Sequence, residues 1–188
     1  SIDDVMRFGG SAGFNGGSVS VEAGDGNDTV TFAENAGLRA GSVSVDAGAG
    51  ADAINFGNSA QNVSVDAGDG DDDITLGDAA GLGGGSAEIL AGAGADTFIL
   101  GTRAAVDADG LGEGTVTVDL GMNDGAADAL IFQGSVFNAV IQNWEQGLDT
   151  VDVVDPSQWT GTDNGTSTAF SNGQQDILFE GITGLGTD

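Results

Sequence analysis

Four stretches of the chain place an aspartate four residues after a glycine, with a second glycine between: Gly24, Gly26 and Asp28; Gly48, Gly50 and Asp52; Gly68, Gly70 and Asp72; Gly92, Gly94 and Asp96. A carboxylate is a hard anionic donor, and glycine admits turn dihedrals that let backbone carbonyls converge. Together they make an oxygen-only ligand set, which suits Ca²⁺ better than Mg²⁺, because Ca²⁺ takes about six to eight oxygens in loose geometry. A fifth turn, "GMNDGAAD" at 121–128, is irregular; it ends on Asp128, which joins the candidate ligands. The chain offers little other chemistry. It has no histidine, cysteine or lysine. Thiolate and ordinary zinc sites, disulfides, Ser-His and Cys-His catalysis and lysine-bearing phosphate loops are therefore excluded. An EF-hand starting at Asp69 would need glycine and glutamate where Ile74 and Ala80 stand. No carboxylate pair outside these stretches suggests a catalytic cleft, so the chain is not expected to be an enzyme.

Each candidate turn joins two short stretches of alternating polarity. "VSVEAGDGNDTVTF" begins at Val19, and similar units begin at Val43, Val63 and Ala87; a looser one begins at Val116. Period-two alternation buries one face of a strand and wets the other. Two strands in about twenty residues form one coil of an all-β solenoid, and a coil buries its apolar face only by stacking on its neighbours. The expected inward rows are Val21, Val45, Val65, Ile89 and Val118; Val30, Ile54, Ile74, Phe98 and Leu130; and Phe32, Phe56, Leu76, Leu100 and Phe132. Stacking also aligns the aspartates at about 4.8 Å. Neighbouring carboxylates then repel by roughly 1–3.5 kcal/mol, which calls for a cation between rungs. A second row, Glu22, Asp46, Asp66, Leu90 and Asp119, is expected to be a solvated face.

Thirty acidic residues face three arginines, for a net charge of −27. This excludes nucleic acid as an electrostatic partner and disfavours anionic membranes. No apolar run approaches a membrane span, so no membrane insertion is expected. The first residues lack the basic start and apolar stretch of a signal peptide.

The turns resemble the nonapeptide repeats of RTX (repeats-in-toxin, hemolysin-type) calcium-binding proteins, with Ala in place of the first glycine: "AGDGNDTVT" at 23–31, "AGAGADAIN" at 47–55, "AGDGDDDIT" at 67–75 and "AGAGADTFI" at 91–99. The resemblance implies a right-handed parallel β-roll with Ca²⁺ as cofactor between turns, held by the aspartate carboxylates and the turn glycines' carbonyls. That family binds ions on both edges. Here one turn per coil carries the motif, so one row of ions is expected. "VIQNWEQGLDTVDVV" at 140–154 looks like the segment that often follows such repeats, and "QQDILFEGITGL" at 174–185 is similar to the C-terminal ends of type I secretion substrates.

The expected organisation is a glycine-rich N-terminal arm at 1–17, a calcium-binding roll of about five coils at 18–133, and a C-terminal β cap with secretion signal at 134–188. The expected function is a secreted bacterial structural protein that assembles with itself at the cell surface or in the matrix, as an S-layer, biofilm or filament subunit. A cell-surface polysaccharide is the one external partner kept open. The alternative is a calcium-stabilised binding module, an adhesin or ice-binding roll; its outward turn row lacks threonine and is broken by alanines. The glycine-rich arm is expected to reach a neighbouring subunit. Leu38, Leu82 and Leu111 either tuck into the core or form a contact surface. Trp144 and Trp159 belong to the cap core.

Overall fold

The structure is a computed structural model that describes the chain except residues 38, 79–84, 102–113, 123, 135–138, 154–156, 158, 172–175 and 186–188. Leu38, Leu82 and Leu111 thus lie outside the described residues. Among the described residues there is no α-helix. The described residues form sixteen strands in two sheets. The seven-stranded sheet holds β1 (Val5–Phe8), β3 (Thr29–Phe32), β5 (Ala53–Phe56), β7 (Asp73–Leu76), β9 (Thr97–Leu100), β11 (Ala129–Phe132) and β13 (Thr150–Val153), in that order and all parallel. The nine-stranded sheet runs β2 (Ser18–Asp25), β4 (Ser42–Ala49), β6 (Val63–Asp69), β8 (Ser86–Ala93), β10 (Thr115–Asp119) and β12 (Ala139–Gln142) in parallel. It continues through β16 (Asp176–Phe179), β15 (Thr168–Ser171) and β14 (Thr160–Asp163), where β15 is antiparallel to both neighbours. Sequence-alternate strands in each sheet make this a parallel β-solenoid of about five turns.

Every residue of the three expected inward rows is buried, and the strand register stacks each row residue on residue. The mechanism is the one the alternation implies: β-branched and aromatic side chains occupy alternate positions, so each strand can bury one full set. Phe8, Phe32 and Phe56 stack face to face, with centroids 4.5 and 4.9 Å apart.

The sheets extend past both expected boundaries. Within 1–17, Val5–Phe8 is no arm but the edge strand of a sheet, paired with Thr29–Phe32. The glycine-rich stretch after it lies on its own roll: Ser11 N–H donates to Glu34 O, Gly37 N–H to Ala12 O, and Ser42 N–H to Gly17 O. Removing 1–17 would strip a strand and uncover Phe32, so it would damage the fold itself. Beyond 133, β12 and β13 continue the parallel sheets, and only β14 to β16 break the pattern. There Phe179 meets Trp144 and Phe170 edge-on at 4.9 and 5.7 Å, closing that end of the core. Trp144 is buried and Trp159 is packed against the core.

Candidate metal centre

The turn between the two strands of each coil positions the aspartates. Its glycines are required because successive coils approach backbone to backbone. At Gly50 the backbone has φ +139°, and an added Cβ would sit 2.0 Å from the carbonyl oxygen of Gly26, one coil back. The same relation links Gly24 O to Gly48 and Gly50 O to Gly70. Turn carbonyls are therefore aimed along the stack, into the next coil. Gly50→Ala should lower stability by about 3 kcal/mol or more, from dihedral strain together with a backbone clash. Gly165→Ala, at φ +85° with nothing within 4 Å, should cost only about 1–2 kcal/mol. Urea midpoints of the two variants test this; equal losses would mean the coils do not stack this closely.

Beneath these turns the aspartates form one continuous ladder. Asp4 N–H donates to Asp28 Oδ1 at 2.6 Å, Asp28 to Asp52 at 2.6 Å, Asp52 to Asp72 at 2.8 Å, Asp72 to Asp96 at 2.8 Å, Asp96 to Asp128 at 2.8 Å and Asp128 to Asp149 at 3.1 Å. The expected site residues Asp28, Asp52, Asp72, Asp96 and Asp128 thus come together in a single row. All five side chains are buried. The repulsion expected between adjacent carboxylates is partly met by these N–H groups, each lying between two rungs. That role for the backbone was not expected.

The second oxygens are different. Oδ2 of Asp28, Asp52, Asp72 and Asp96 is buried in each case and has no hydrogen-bond partner. A buried acceptor without a partner costs about 1–3 kcal/mol, more if it is charged. The carboxyls respond accordingly. Burial, then neighbouring carboxylates, pushes Asp72 up to about 6 and Asp96 up to about 8, and the N–H bonds only partly oppose this. Asp128 is likewise pushed up to about 6, and Asp52 is raised mainly by burial.

Sequence reading missed both ends of the ladder. Asp4 begins it and Asp149 closes it, Asp149 also accepting the Glu145 N–H on Oδ2. The signal was present: "GLDTV" at 147–151 repeats "GNDTV" at 26–30, and "DDVMRF" at 3–8 parallels "NDTVTF" at 27–32. In the irregular fifth turn, Gly121 still faces Gly92 O, and Asp124 Oδ2 accepts the Gly94 N–H at 3.1 Å. A second, exposed ladder runs with opposite polarity. Asp3 Oδ1 accepts from Asn27 N–H, Asn27 Oδ1 from Ala51 N–H, and Asp71 Oδ1 from Ala95 N–H, at 2.9–3.0 Å. This accounts for the alternation of "GDGND" and "GAGAD" turns: an Asx in one coil serves the alanine N–H of the next.

The row Glu22, Asp46, Asp66 and Leu90 lies on the outer face, with Asp119 half-buried at its end. Among the described residues, no group of three or more carboxylates converges as a metal cluster. An ion at the ladder would therefore be held by carboxylates in ones or twos together with turn carbonyls. The buried, unpartnered Oδ2 atoms and the stack-directed glycine carbonyls fit such a hard cation; no nitrogen or sulfur side-chain donor stands in the row.

The fold and this row define a parallel β-solenoid with an internal carboxylate ladder under one edge. No family model, curated protein or solved structure matches the chain.

Proposed function

We propose that the chain is a calcium-dependent structural β-roll of the RTX kind, exported and assembled with copies of itself outside the cell. The observation that carries this reading is the set of four buried Oδ2 atoms without partners. Asp28, Asp52, Asp72 and Asp96 would hold Ca²⁺ through Oδ2 while Oδ1 keeps its N–H bond. Turn-glycine carbonyls of Gly24, Gly26, Gly48, Gly50, Gly68, Gly70, Gly92 and Gly94 would supply neutral oxygens, and Asp128 would extend the row. Bound calcium supplies positive charge where adjacent carboxylates cannot otherwise all ionise.

A structural role fits a chain whose two sheets draw strands from Val5 through Phe179 and which lacks histidine, cysteine and lysine. Assembly follows from charge: at −27 the metal-free chains repel, and each ion removes two charges. Export rests on the likeness of 174–185 to the C-terminal ends of type I secretion substrates, beside that of 140–154 to the segment that often follows such repeats. Calorimetry with Ca²⁺ and Mg²⁺, read beside light scattering, tests the proposal. Several Ca²⁺ should bind, Mg²⁺ should substitute poorly, and ordered assemblies should form at millimolar Ca²⁺. Equal heats for the two metals would overturn the ligand assignment. A compact monomer at every calcium level would overturn the assembly role.

A further inference from the structure

We propose that the outer face of the nine-stranded sheet binds a linear aliphatic diammonium ion, of the diamine or polyamine class, laid across Leu90 between Asp66 and Asp119. The outward row on this face is acidic at Glu22, Asp46, Asp66 and Asp119, and Leu90 interrupts it. Register places Asp66, Leu90 and Asp119 side by side on β6, β8 and β10. The two carboxylates therefore flank the leucine from strands about 9.6 Å apart, twice the usual spacing. Leu90 is 40 % exposed and nearby Met122 is 75 % exposed. A groove of about 310 Å³ lies over them, lined by Asp66, Leu90, Gly92, Asp119 and Met122 among others.

The groove's chemistry is an apolar strip with an anion at each side. A small inorganic cation gains nothing from Leu90 and Met122. An alkyl chain covers both while its terminal ammoniums reach Asp66 and Asp119, so it satisfies the whole surface. Asp119 is held for this: its Oδ1 accepts the Gly121 N–H at 3.1 Å and the Asn143 side-chain amide, which fixes the carboxylate at the groove wall. Neither Arg7 on β1 nor Arg39, which lies 5.4 Å over the Phe14 ring, lines the groove. A neighbouring recess of about 180 Å³ shares Met122 and Asn143 and includes Glu145, a third anion within reach of a longer polyamine. The inference does not rest on the calcium reading, because Asp66, Leu90, Asp119 and Met122, which would make the contacts, are neither ladder carboxylates nor turn-glycine carbonyls.

Titration of the full chain, at saturating Ca²⁺ and with circular dichroism to verify the fold, tests it. The probes are α,ω-diammonium alkanes of increasing length, with butylammonium as a single-charge control. Affinity should peak near about five or six methylenes, from ordinary bond lengths. Asp66→Asn and Asp119→Asn should each weaken the best diamine about tenfold, and Leu90→Glu should abolish the length optimum while the fold is retained. Affinity with no optimum, or unchanged in both asparagine variants, would show plain counter-ion attraction and overturn the site.

Discussion

In chelator this protein should fold in acid and unfold towards neutral pH, and calcium should reverse that order. The sign follows from the ladder. Asp72, Asp96 and Asp128 have folded-state pKa values of about 6, about 8 and about 6, above the unfolded value of 3.8. Groups raised in this way favour the folded state fully below about pH 4. That contribution is lost as pH rises through the folded values, between about 4 and 8. One pKa unit corresponds to about 1.4 kcal/mol. Even heavily discounted, three such carboxyls rival the lower end of a total stability of about 5–15 kcal/mol. On the proposed calcium reading the ion would bind only the ionised ladder, so with calcium present stability should instead rise with pH. Far-UV circular dichroism and urea midpoints from pH 4 to 8, with chelator and with Ca²⁺, give the test. A metal-free chain equally stable across that range would show that the Oδ2 atoms carry no such strain.

Asp96→Asn should produce opposite effects in the two states. The side-chain carbonyl of asparagine can keep the bond from the Asp72 N–H, now made by Oδ1 at 2.8 Å. The charge at the most strongly shifted rung disappears. Metal-free stability at pH 8 should therefore increase, while calcium affinity at that turn should fall at least tenfold. Asp25→Ala is the control. Asp25 is exposed and its place is alanine in "GAGAD" turns, so its loss should change little in either state. Calorimetry and chelator-state melts would report both. If Asp96→Asn destabilised the metal-free chain at pH 8, the carboxylate would be an asset without calcium and the ladder would need no ion.

Much of this architecture was readable because a solenoid repeats one decision. Alternation at Val19–Val21 and Val30–Phe32 fixes which face is buried, and stacking then assigns every later coil, down to Val118 and Leu130. The same logic placed the five aspartates in one row. What could not be read was how a carboxylate is satisfied. Asp52 looks alike in sequence whether its neighbour is a cation or the Asp28 N–H, and only the coil-to-coil register reveals the latter. The ends were obscured for another reason. Asp4 stands in a stretch without the paired glycines, and Asp149 follows β12 but has Gly147 alone in its turn, so a search for whole units passes over them. The antiparallel turn of β14 to β16 follows from closing an exposed sheet end, which no repeat announces.

The six ladder bonds join residues 24, 24, 20, 24, 32 and 21 positions apart, yet all lie between 2.6 and 3.1 Å. The aspartate edge thus acts as a fixed ruler, and most of the difference in coil length falls in the stretches that lead from one coil to the next, such as 33–41 and 57–62, with a smaller share in the longer fifth turn at 120–128. Doubling a flexible connection costs only about 0.6 kcal/mol. One margin of the molecule is in that sense conservative and the other permissive. Foreign segments could be grafted onto the permissive margin coil by coil, spaced at the pitch the conservative one dictates, giving evenly ruled display along a rigid bar.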